Sequence, residues 1–306
     1  MKKLSIVLLL LALVLTIVPS ALAQDTFGAS QEEFDALTAA TEATFDADSM
    51  SFDFTISLAV TGMSDEGGDV SADLTGTGFI INDPENPGVM LDVTGTAVNG
   101  DTTTPVTLGL RVVDGNVYVT QDGEKWEYSS LADVSSMLGQ ELSASGLPID
   151  PSALSGDMSS MSGMSGMMAG LEGLQPSDFV TLTVAGNTYT WSVSISDLLA
   201  SPALGPMIAG AMGGASSGTE MTDAQMKQMV AMIGAMFSEA VVELIQTVES
   251  GMVTVTSLNI NIPLDIIAPG AGVVLNFTLN LSGFGDTFTV VAPEGAEPMA
   301  SMSASS

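Results

Sequence analysis

Residues 51–60, "SFDFTISLAV", decide how the chain is read. Phe52, Phe54, Ile56, Leu58 and Val60 alternate with Ser51, Asp53, Thr55, Ser57 and Ala59. Successive side chains of a strand point to opposite faces, so this period of two predicts a strand with one apolar and one polar face. Downstream, Glu66-Gly67-Gly68 turns the chain into Val70–Thr75. Residues 82–88, with two prolines, turn it into Val89–Thr94, and Asn99-Gly100 into Val106–Leu110. Asp114-Gly115 is a two-residue hairpin signal leading to Val117–Val119, and Asp122-Gly123 leads to Trp126–Tyr128. Regular turns between alternating runs predict an antiparallel meander.

Upstream, Ser30-Gln31-Glu32-Glu33 reads as a capping box. Phe34, Leu37, Thr41 and Thr44 or Phe45 follow at helical spacing, so a helix is expected to end near Phe45. Before it, Lys2 and Lys3 precede the uncharged apolar run Leu4–Val18 and the small-residue site Ala21-Leu22-Ala23. This predicts a signal peptide over residues 1–23 and a mature chain from Gln24, exported to a periplasmic or extracellular location.

The second half is less regular. Leu131–Leu142 is expected as a short helix. Across residues 143–175 Ser, Gly, Met and Pro dominate and the period fails, predicting a flexible insertion. Within it, Met158, Met161, Met164, Met167 and Met168 recur about three apart. A spacing of three does not hold one helical face at 3.6 residues per turn. Three readings stay open: low-complexity filler, an apolar lid, or a Cu(I) site of thioether ligands. Strands are expected at Phe179–Leu182 and Tyr189–Ile195. Ser201-Pro202 then reads as the start of a helix to about Met212. Thr222-Asp223-Ala224-Gln225 reads as a second capping box, opening a methionine-rich helix that ends at Gly251. Met229, Ile233, Met236, Phe237, Leu244 and Val248 lie on its apolar stripe. Three more strands are expected near 252–264, 271–281 and 287–291, then a disordered tail over 296–306.

The expected fold is α+β: one large curved antiparallel sheet of about eleven strands, an open half-barrel wrapped over several helices, in a single domain over 24–295. Gly76, Gly78 and Gly95 fall on the face that carries Leu74 and Leu91. They mark either sheet curvature or space for a ligand.

Composition narrows function. The whole chain carries −31 at neutral pH, and beyond residue 3 its basic residues are Arg111, Lys125 and Lys227. Nucleic acid is excluded, because phosphate binding needs cations. Anionic membrane surfaces repel such a chain, and divalent cations are expected to associate with it nonspecifically. There is no cysteine, hence no lipobox for a lipid anchor, and no histidine, the usual general base and metal ligand. No enzyme activity and no cofactor are expected. Carboxylate pairs for glycoside hydrolysis lack the aromatic platforms that sugar sites use, since only Trp126 and Trp191 are present.

The stretch "VVDGNVYVTQDGEKWEYSSL" (Val112–Leu131) resembles the central hairpins of LppX/LprG-like bacterial lipoproteins, part of the LolA-like group of carriers. "NLSGFGDTFTVVAPEGAEPM" (Asn280–Met299) resembles that family's last hairpin. The resemblance covers roughly residues 34–131 and 252–296. It implies an open half-barrel with helices in its mouth, enclosing acyl chains, and it implies no catalytic residues. The missing lipobox departs from the family's tethered members, so a freely diffusing carrier is expected. Phe54, Ile56, Leu74, Gly78, Leu91, Gly95, Leu108 and Leu110 are the expected cavity wall, faced by Met229, Ile233, Met236 and Phe237. An extracytoplasmic copper-binding protein and a non-catalytic surface scaffold are the alternatives.

Overall fold

The computed structural model of the chain describes residues 26–62, 69–83, 86–134, 176–200, 237, 239–264 and 268–299. Their centre is one open sheet of twelve strands. In chain order these are β1 (Ser49–Thr61), β2 (Val70–Ile81), β3 (Gly88–Asn99), β4 (Thr102–Val113), β5 (Asn116–Thr120) and β6 (Glu127–Ser130). There follow β7 (Val180–Ala185), β8 (Thr188–Val193), β9 (Val241–Glu249), β10 (Met252–Pro263), β11 (Gly272–Ser282) and β12 (Glu297–Pro298). The spatial order is β12-β6-β5-β4-β3-β2-β1-β11-β10-β9-β8-β7. Every pair is antiparallel except β12 with β6. The meander read from residues 51–128 is therefore present as β1 to β6, and β1 pairs on its other side with β11.

The turn chemistry explains the hairpins. Asp114 and Gly115 both have positive φ (51° and 72°), as do Ser250 and Gly251 (54° and 81°). Two such residues make the turn whose twist matches the flanking strands.

Helix α1 (Gln31–Phe45) is closed at its start by the capping box: Glu33 N donates to Ser30 Oγ and Ser30 N to Glu33 Oε2. Its buried face is Phe34, Leu37, Ala40, Thr41 and Thr44, whereas Phe45 is exposed. The helix packs on β10, where the register slips between Val253 and Val255. Val253 precedes the first pair of β10 with β11, Val255 with Asn280, and its N–H donates to Thr44 Oγ1 at 2.8 Å. A second, short helix, α2 (Ile195–Ala200), starts where Ser194 Oγ accepts Asp197 N, which ends β8 at Val193.

Several expectations change. The sheet has twelve strands rather than about eleven, and among the described residues the helices are few, with α1 the long one. The helix expected to run to Gly251 is strand β9 over its last nine residues before the turn. In "VVELIQTVE" the apolar spacing fits both periods, but the β-branched Val241, Val242, Ile245, Thr247 and Val248 favour a strand, and β8 and β10 supply the pairing on either side. Gly251 is thus a hairpin residue, not a helix cap. Of the short helix expected at 131–142, residues 131–134 are helical and the rest lies outside the described residues, as do the helix expected from Ser201 and the insertion at 143–175.

The strand expected at 287–291 forms no ladder. Gly283 and Gly285 (φ 61° and 76°) turn the chain out of β11 and across the outer face, where Phe288 stacks on Phe79 at 4.8 Å and Val290 lies beside Gly88. The segment then reaches β6, where Glu297 N donates to Trp126 O (2.9 Å) and Met299 N to Tyr128 O (2.8 Å). Residues 297–299, within the segment expected as a tail, thus border the sheet edge. At the opposite edge Leu182 N, on β7, donates to Phe27 O (2.7 Å). One sheet edge is thus the two-residue β12 and the other is met at β7 by the Phe27 carbonyl; so short an edge strand limits edge-to-edge association.

Candidate functional site

The register builds one continuous apolar face. Phe54 pairs with Gly76 and Leu279, Gly76 with Val93, and Val93 with Leu108. One row towards the start of β1, Phe52 pairs with Gly78, which pairs with Leu91, which pairs with Leu110. One row the other way, Ile56 pairs with Leu74 and Phe277, and Leu74 with Gly95. The expected wall residues Phe54, Ile56, Leu74, Gly78, Leu91, Gly95, Leu108 and Leu110 therefore share this face. Their surroundings differ. Phe54 and Leu74 are buried (2% and 7% exposed) in a core with Phe277, Leu279 and Leu258. Ile56, Leu91, Leu108 and Leu110 are only half-buried.

The three glycines turn out to make room for protein atoms. A Cβ at Gly76 would meet the ring of Phe54; one at Gly78 would meet the Met90 carbonyl and the Phe52 ring; one at Gly95 would meet the Asp73 carbonyl and Leu74. Phe52 and Phe54 stack on each other at 6.5 Å, and Phe54 tilts against Phe277 at 6.2 Å. Missing side chains on β2 are filled by large ones on β1, so the space over Gly76 and Gly78 is occupied.

Most of the helix side of the expected wall falls outside the described residues. Met229, Ile233 and Met236 lie outside the described residues. Phe237 lies in a turn before β9, half-buried, with its carbonyl accepting Ala240 N at 3.0 Å. The methionines of 158–168 also lie outside the described residues.

One core contributor carried no signal in the sequence. Phe27 is 2% exposed and packs edge-on against Trp191 at 5.4 Å and against Phe34 at 6.3 Å. It sits in a turn with positive φ (54°), before the helix cap, where no periodicity operates. Trp191 was readable from the alternation of β8, and its indole Nε1 donates to Gln246 Oε1 at 3.2 Å.

Between β1 and β4 the apolar face carries no ionisable group. It can cover apolar surface but cannot move a proton.

The opposite face is polar. Thr107, Thr94, Thr75, Thr55, Thr278 and Ser257 form one row across six strands. Beside it Arg111 Nη2 makes two bonds to the Asp92 carboxylate (2.8 and 2.9 Å), while the guanidinium lies 5.0 Å from the Trp126 ring centre. Trp126 covers Gly109, which explains that glycine. The loop that presents Trp126 is organised by Asp122, whose carboxylate is held below its usual pKa chiefly by the Lys125 amide and next by that of Glu124. A groove of about 290 Å³ opens near the β7 edge, where Thr181, Ser192 and Glu243 line it from the polar side. Among the described residues no three His, Cys, Asp or Glu side chains are grouped to hold a metal ion, and no helix is long and apolar enough to cross a membrane.

No family model matches the chain, and no curated protein sequence matches it. Among solved structures the chain is similar to the crystal structure of LprF from Mycobacterium bovis, at 15% identity over 87% of this chain and 99% of that one, with a TM-score of 0.32. No residue is carried over from that structure.

Proposed function

We propose that this protein is an exported, non-catalytic binding or carrier protein for an apolar ligand such as the acyl chain of a lipid. The observation that supports the reading is the apolar face itself. From the buried Phe54 and Leu74 it extends to half-buried Ile56, Leu91, Leu108 and Leu110 without an ionisable group between β1 and β4. It continues along β1 and β2 to a rim at Val60 and Val70, the latter 41% exposed. An acyl chain gains about 0.8 kcal/mol per CH₂ taken out of water, so a face this long rewards even part of one chain. Ile56, Leu91, Leu108 and Leu110 are the ligand-facing wall in this reading. Gly78 and Gly95 act indirectly, by admitting Phe52 and Leu74. Export rests on Lys2, Lys3 and the Ala21-Leu22-Ala23 site.

The test is uptake of an uncharged, polarity-sensitive alkyl dye by the mature protein. The expected result is saturable binding with blue-shifted emission, weakened in Leu91→Trp and Leu108→Trp, with circular dichroism and melting recorded for each. A folded wild type that takes up no dye overturns the reading.

A further inference from the structure

We infer that the apolar site discriminates by the charge of its ligand's polar end, taking amphiphiles with an uncharged or cationic end in preference to carboxylates and phosphates. This rests on the proposed carrier function and names its ligand class. A chain lying on the face between β1 and β4 brings its polar end out at one of the two ends of those strands. At the end formed by the β1–β2 and β3–β4 connections stand Asp69, Asp101 and, before β9, Glu239. At the other end stand Asp48, Asp114 and Asp286. Either exit is acidic, so the conclusion does not depend on which one the ligand uses.

The cations do not offset this. Among the described residues they are Arg111 and Lys125. Arg111 is on the polar face, with only 14% of its side chain exposed, bonded to both oxygens of Asp92, to the Leu91 and Leu110 carbonyls, and stacked on Trp126. Lys125 is exposed in the loop between β5 and β6, where it neighbours Asp122. The whole chain carries −31, so the near field at each exit and the far field of the molecule have one sign. Fields of this kind change the local concentration of a charged ligand by about tenfold or more, and they fade as salt shortens their reach.

The experiment uses the full mature protein and competitors of one chain length: palmitate, monopalmitoyl glycerol and hexadecyltrimethylammonium, all below micelle formation. Each displaces the uncharged alkyl dye at about 0.01 M and about 1 M salt, where screening lengths differ by roughly tenfold. At low salt the expected order is ammonium, then glyceride, then palmitate, with palmitate about tenfold weaker than the glyceride. At high salt the gap between them narrows. Palmitate that competes as well as the glyceride at low salt, or a gap that salt does not change, overturns this inference and leaves the carrier function standing. If the dye itself does not bind, the carrier function fails and the inference with it.

Discussion

The hydroxyl of Thr44, at the last turn of α1, accepts the backbone N–H of Val253 at 2.8 Å and donates to the Ala40 carbonyl at 2.7 Å. One side chain thus bonds within its own helix and satisfies an amide of β10 that lies before the pairing with β11 begins. A buried donor left without a partner costs about 1–3 kcal/mol. Thr44→Val keeps the shape and removes the acceptor, so its urea midpoint should fall by an amount in that range with an unchanged slope. Thr38→Val, whose hydroxyl bonds only the Phe34 carbonyl on the exposed side, should change stability by less than about 0.5 kcal/mol.

Gly76 and Phe54 are cross-strand partners, and the ring occupies the space of a residue 76 side chain. Gly76→Val should destabilise by about 1–3 kcal/mol, the usual cost of overpacking. Phe54→Ala opens the same space at its own cost. The double variant should therefore be more stable than the sum of the two single effects, by a coupling that a double-mutant cycle in denaturant measures. Strict additivity would mean that the ring is not what excludes the side chain.

Residues 297–299 cover β6, a strand of four residues at the sheet edge. A chain ending at Pro293 keeps Phe288 on Phe79 but loses the bonds to the Trp126 and Tyr128 carbonyls. At about 1 kcal/mol for each bond, local opening of β6 becomes easier while the global stability of β1, β2 and β11 is little changed. Hydrogen exchange should speed up at residues 127–130 and stay the same at residues 53–58.

Glu33 is held below its ordinary pKa, first by the Ser30 hydroxyl and then by the Ser30 amide. A lowered folded-state pKa contributes stability above the ordinary carboxylate range and loses it as pH falls through the lowered value. Glu33→Gln retains an acceptor oxygen for the capping box but does not titrate. The melting temperature of the wild type should exceed that of the variant near neutral pH, and the difference should shrink on acidification. A difference that is constant with pH would remove Glu33 from the acid response.

The sequence by itself determined the meander. Strands β1 to β5, the hairpin at Asp114-Gly115 and the capping box at Ser30 follow from local signals, because alternation, turn residues and caps act over a few neighbours. The same pattern put Leu74, Leu91, Leu108 and Leu110 on one face. Tertiary structure decided what local rules leave degenerate. "VVELIQTVE" satisfies a helical and a strand period alike, and pairing with β8 and β10 is what makes it β9. The purpose of Gly76 and Gly78 depends on the rings of Phe54 and Phe52 reaching across from β1. Phe27 gains its role from Trp191, some 160 residues away in the chain, and the segment after β11 becomes a crossing over the sheet rather than a strand. In each case the deciding atoms lie on a different element, brought there by burial of apolar surface, which acts on the whole chain at once.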